Sequence, residues 1–166
     1  MIKSFSQFCF FIFFIFFGNF CFSETQLGLG SFTVDTNSEI KIASDSMMFD
    51  SKTQLTEFVD NVVIKFGDLT LESATLKILH PSKSSPNNFL EFYMDGPLVI
   101  SDGENFIHGD TAFYSRKNQE ITISGNVNLE QGNNNVSGDK LILNLNNGLA
   151  KIIGSVKTVL EPIGNE

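Results

Sequence analysis

Few residues in this chain are of types that do chemistry, and their spacing is poor for it. His80 and His108 stand 28 positions apart, His80 opening the Pro- and Ser-rich stretch "HPSKSSPNN" at 80–88. A metal site needs three or four His, Cys or carboxylate ligands brought together. Neither histidine has a cysteine or a carboxylate pair close by, so both read as solvated surface residues and no metal is expected. Asp110 and Asp139 each follow a glycine, as "GD". They could form an acid–base pair, or they could be turn aspartates bonding nearby backbone. Their recurrence at equivalent points of a repeat favours the turn role. Asn135-Val136-Ser137 matches a glycosylation sequon but falls in an expected strand. No nucleophile elbow, phosphate-binding loop or dinucleotide fingerprint occurs. The chain reads as a non-enzyme without a cofactor.

Both cysteines, Cys9 and Cys21, lie in the first 23 residues. There, Lys3 gives a short basic region and Cys9 to Phe22 is a nearly unbroken apolar run, interrupted by Gly18 and Asn19. A membrane span needs about 20 apolar residues, and this run is shorter. Cys21 and Ser23 put small residues at the positions a signal peptidase reads before Glu24. Residues 1–23 are therefore expected to be a cleaved signal peptide, exporting the rest of the chain in a bacterial style. An uncleaved anchor and a lipoprotein are the alternatives. The short run and Glu24 count against the first, and bulky Phe20 before Cys21 against the second. The remaining 143 residues hold no cysteine, so they must fold on a core and a backbone ladder rather than on disulfides. Losing Lys3 takes the net charge from −8 to −9. That sign argues against nucleic acid and against a basic patch for anionic membranes.

The elements that would position any site come from an internal repeat. Residues 45–79 shifted by 65 positions fall without a gap on 110–144. Asp45 meets Asp110, Phe49 meets Tyr114, Asn61-Val62 meets Asn126-Val127, and Gly67 meets Gly132. A shorter unit places Gly96-Pro97-Leu98, Gly125-Asn126-Val127 and Gly154-Ser155-Val156 at intervals of 29 residues. Gly67-Asp68, Gly103-Glu104 and Gly132-Asn133 sit between alternating segments, where residues tolerant of positive φ close hairpins. No helical apolar period of useful length follows residue 23. Valine, isoleucine, threonine and phenylalanine at period two favour strands instead.

The alternation also assigns faces. Val62, Ile64, Leu71, Leu76, Ile78, Phe92, Met94, Leu98 and Ile100 share one face with Ile121, Ile123, Val127, Leu129, Val136, Leu141 and Leu143. Ala150, Ile152 and Val156 continue the series. Lys65, Lys77, Glu130 and Lys140 take the other face. An all-β chain with one apolar and one wet face suits an antiparallel sheet folded over itself.

Five segments in this order and spacing carry a resemblance: "EIKIASDSMMFD" at 39–50, "DNVVIKFGDLTLESATLKI" at 60–78, "GPLVISDGENFIHGDTAFY" at 96–114, "SGNVNLEQGNNNVSGDKLIL" at 124–143 and "VKTVLEP" at 156–162. Together they resemble the LptA (OstA-like) family of periplasmic lipopolysaccharide transport proteins. The loop at 80–88 and residues 24–38 depart from the pattern, so 24–38 is taken as an N-terminal extension, 39–162 as the OstA-like β-domain and 163–166 as a tail. The resemblance implies a β-jellyroll or β-taco sheet with an open apolar groove. Lipopolysaccharide would pass along it with its lipid A acyl chains shielded, between an LptC-like inner-membrane and an LptD-like outer-membrane component. It assigns Ile40, Ile42, Ile100 and Tyr114 to the groove. The apolar face adds Phe49, Val62, Ile64, Leu76, Ile78, Leu98, Val127, Leu129, Leu141 and Leu143. Unpaired edges, at Ile40, Lys41 and Ile42 and at Val156, Lys157, Thr158 and Val159, would support head-to-tail self-association. Alternatives are an LptC-like anchored component, the N-terminal domain of an LptD, or a structural β-solenoid without ligand.

Overall fold

A computed structural model describes residues 26–28, 32–35, 37–80 and 91–160. The expected signal peptide at 1–23, residues 81–88 of the expected loop and the expected tail at 163–166 lie outside them. Among the described residues eleven strands form one antiparallel sheet. They are β1 (Gln26–Gly28), β2 (Ile40–Ala43), β3 (Ser46–Asp50), β4 (Leu55–Phe66), β5 (Leu69–Leu79), β6 (Glu91–Ser101), β7 (Asn105–Ser115), β8 (Glu120–Gln131), β9 (Asn134–Asn144), β10 (Leu149–Ile153) and β11 (Lys157–Val159). The central order β10-β9-β8-β7-β6-β5-β4 is a meander of neighbours in sequence. The expected turns close three of its hairpins, with Gly67, Gly103 and Gly132 all at positive φ.

Strands β4 to β9 are 11 or 12 residues long, longer than tight turns at every glycine would allow. The reason is a row of bulges. Register slips between Val59 and Val62 on β4, Glu72 and Thr75 on β5, Asp95 and Leu98 on β6, His108 and Thr111 on β7, and Ser124 and Val127 on β8. A bulge adds a residue to one strand and bends it. Here the bends line up side by side, so the whole sheet folds along one crease. The 29-residue glycines are crease residues: Gly96, Gly125 and Gly154 all have positive φ. Pro97 sits in β6 at such a bulge, the place where a strand tolerates a missing donor.

The crease divides the sheet into two limbs. The first is bordered by β2, paired to β4 at 63–66, and by β11, paired to β9 at 135–137. The second is bordered by β3, paired to β4 at 55–59, and by β1, paired to β10. Inner faces of both limbs meet in one apolar core. Phe66 of the first limb contacts Tyr114 of the second edge-on, with ring centroids 5.9 Å apart. Leu76, Ile100, Ile107, Ile123, Leu141 and Leu143 are all fully buried.

The boundary drawn at residue 39 leaves out residues that the fold uses. Gln26–Gly28 pairs with β10, at the far edge of the sheet from β2. Phe32 is completely buried and Val34 nearly so. This segment matches no repeat unit, which is why the alternation gave it no place.

Candidate functional site

The apolar inner face is the candidate site, and the crease positions it. Register carries the face from strand to strand: Ile42 stands opposite Ile64, Ile64 opposite Leu71, Leu71 opposite Ile100, and Ile100 opposite Ile107. On the second limb Ile78, Phe92, Tyr114, Ile121 and Leu143 form the same kind of row. Val62, Ile64, Leu76, Ile78, Leu98, Ile100, Tyr114, Val127, Leu129, Leu141 and Leu143 all come together there, each buried. Ile40 and Ile42 are half-buried against the same core.

Phe49 is placed differently. By pairing with Thr56 it shares the inner face, yet it is 52% exposed. Met47, two residues earlier on that face, is 62% exposed. The core is therefore covered along most of its length and uncovered at its β2–β3 end. Val156, expected to continue the inner series, is also exposed. It precedes β11 just past the crease, at the sheet's margin, where no limb covers it.

The outer face carries the polar residues. Glu57 and Lys77 are opposite each other on β4 and β5 and form an ion pair of 3.5 Å. Tyr93 and Phe113 lie on the same outer face with rings 4.7 Å apart. Burial pushes the Tyr93 hydroxyl's pKa up, and nearby Glu91 adds to this. For Tyr114, inside, burial also raises the pKa, against an opposing pull from Arg116.

The residues that could have done chemistry are taken up by the fold. The Asp110 carboxylate accepts a hydrogen bond from Asn126 Nδ2 at 2.8 Å. Asp45 accepts the equivalent bond from Asn61 at 2.7 Å. Asp139 donates its backbone N–H to the Gly154 carbonyl at 3.1 Å. Asp45 and Asp110 are thus tied to the bulge of another strand and Asp139 to the residue after β10, rather than to nearby turn backbone as expected. His108 lies 3.8 Å from Glu130 on the outer face. His80 departs from a purely solvated residue: its Nε2 is 2.7 Å from Oγ1 of buried Thr56, and Phe49 meets its ring edge-on. Asn135-Val136-Ser137 lies within β9, between β8 and β11. Among the described residues no three of His, Cys, Asp or Glu gather as a metal site. Among them, too, no helix is long and apolar enough to cross a membrane.

The sheet is thus folded over a largely apolar inner face, with its aspartates bracing the crease. Residues 41–149 match the family described as LptA/(LptD N-terminal domain) LPS transport protein. The chain belongs to that family. Its members are non-enzymatic, and its work lies in lipopolysaccharide transport. The fold also resembles the crystal structure of LptH from Pseudomonas aeruginosa, described as the LptA homologous periplasmic component of the conserved lipopolysaccharide transport device. The TM-score is 0.65 at 16% identity, covering 77% of this chain and 99% of LptH. No curated protein matches the chain. The family match starts at Lys41 and ends at Leu149, so β1 and the residues leading to β2 fall outside it.

Proposed function

We propose that this protein is a periplasmic carrier that shields lipopolysaccharide acyl chains between the two limbs of its sheet. It passes them from an LptC-like inner-membrane component to an LptD-like outer-membrane one. The observation that supports this most is the largely apolar inner face, uncovered at its β2–β3 end. Burying a methylene stabilises by about 0.8 kcal/mol, so ten methylenes of one acyl chain contribute about 8 kcal/mol. Affinity of that size needs no cationic patch, which suits a mature chain whose net charge, once Lys3 is lost with residues 1–23, is 10 − 19 = −9. The lipid phosphates then remain in water or are met through divalent cations. Residues 1–23 act as the cleaved export signal.

Copies join head to tail through the terminal strands. Ile40, Lys41 and Ile42 on β2, and Lys157, Thr158 and Val159 on β11, end the first limb at its two edges. Such edges expose backbone groups that a further strand can pair. A contact between unlike edges does not close on itself, so it builds open chains.

The full burial of Leu76, Ile100, Ile107 and Ile123 favours a second reading, a structural β-module with a permanently filled core. Mass spectrometry of lipid extracted from protein purified natively from its cells separates the two. Stoichiometric lipid A species are expected for the carrier. Protein that is lipid-free after gentle purification, and that takes up no added lipopolysaccharide, is the structural module.

A further inference from the structure

The limbs are joined at the crease, and their far ends carry the turns at Gly67-Asp68 on the first and at 145–148 on the second. Both turns are touched by one segment. Val34 donates its backbone N–H to the Leu145 carbonyl at 2.9 Å. Its Cγ1 methyl lies 3.1 Å from where a Cβ on Gly67 would stand. Phe32 is fully buried in the core between the limbs. Past Val34 the chain turns back toward β2, with Ser38 N–H bonded to the Asp35 carbonyl at 2.7 Å and Asn37 N–H to the Asp35 carboxylate at 2.9 Å.

This crossing is made by residues outside the repeat and outside the family match. It also supplies apolar side chains to a core that the strands line on both sides. We infer that Phe32 and Val34 form an internal strap that closes the far ends of the limbs and occupies interior space that acyl chains take when they bind. The inference rests on the carrier reading and adds to it an entry side and a competing intramolecular occupant. Entry then requires the Val34–Leu145 bond to break and Phe32 to leave the core, while the crease stays intact. The strap disfavours the empty, open form, whose apolar face would otherwise meet water. It also lowers apparent affinity, because only the released fraction is competent to bind.

A reversible lock tests this within one molecule. Val34→Cys with Gly67→Cys brings two sulfurs within disulfide reach, and Cys9 and Cys21 are replaced by serine. Uptake of the fluorescent fatty acid cis-parinaric acid is followed in the oxidised and reduced forms, with circular dichroism confirming the same strand content. The strap predicts that oxidation weakens or slows uptake by about tenfold or more and that reductant restores it. A companion variant, Phe32→Ala, should take up the probe faster than the parent. Equal uptake in oxidised and reduced protein, at a rate matching the parent, overturns the strap and leaves the carrier intact. No uptake by any form, Phe32→Ala included, overturns the carrier reading and the strap with it.

Discussion

Gly109 and Gly138 are glycines for a reason that lies on the neighbouring strand. A Cβ on Gly109 would overlap the Ile123 Cγ2 methyl, and one on Gly138 the Ile152 Cγ2 methyl. Overpacking of this kind typically costs about 1–3 kcal/mol, so Gly109→Ala should destabilise by that amount in denaturant titrations. The crease pairs Asp45–Asn61 and Asp110–Asn126 could be read in part from the sequence, because the 65-residue shift superposes both members of each pair. Which atoms they join, and that they brace bulges rather than hairpin turns, depends on strand register and is invisible along the chain. Tyr114 offers a test of interior burial. Its hydroxyl's pKa is raised, so the folded protein keeps a proton that the unfolded chain loses near the ordinary value of 10.0. Stability is then complete below that pH and falls as the pH rises through the folded value. Tyr114→Phe should flatten this alkaline loss, leaving the part due to Tyr93. An unchanged slope between about pH 8 and about pH 11 would place the Tyr114 hydroxyl in water in the folded state.

At the scale of elements, period-two alternation identifies strands well because every long strand has one covered and one wet face. It does not reveal where a strand bends. Gly96, Gly125 and Gly154 look like turn residues, yet the chain continues in the same direction of pairing past each of the first two. The described residues within 24–38 were illegible for another reason: β1 pairs with β10 while Phe32 and Val34 meet the core and two turns, and none of them has a repeat partner to reveal it. Only part of the sheet's margin was legible: β2 and β11 flank the patterned segments, but β1 and β3, which border the second limb, were not read as edges. A proline at Lys157 or Val159 removes a backbone donor from β11. Light scattering should then show shorter assemblies at equal concentration, with circular dichroism nearly unchanged. A parent protein that stays monomeric at every concentration would remove the head-to-tail assembly.

For the whole molecule, one crease turns a two-faced sheet into an inside and an outside, and the central claim is that the inside receives the lipid. Met48 and Phe49 are adjacent on β3 and similarly exposed, 62% and 52%, so access to solvent does not separate them. Face does: Met48 stands opposite Glu57 on the outer face, Phe49 opposite buried Thr56 on the inner one. Site-specific photo-crosslinking in cells, with a photoreactive residue at each position in turn and at Ile42 and Lys65 on β2 and β4, measures this directly. The carrier account predicts lipopolysaccharide adducts at 49 and 42 and none at 48 and 65. Equal labelling of 48 and 49, or adducts confined to the outer positions, would contradict it.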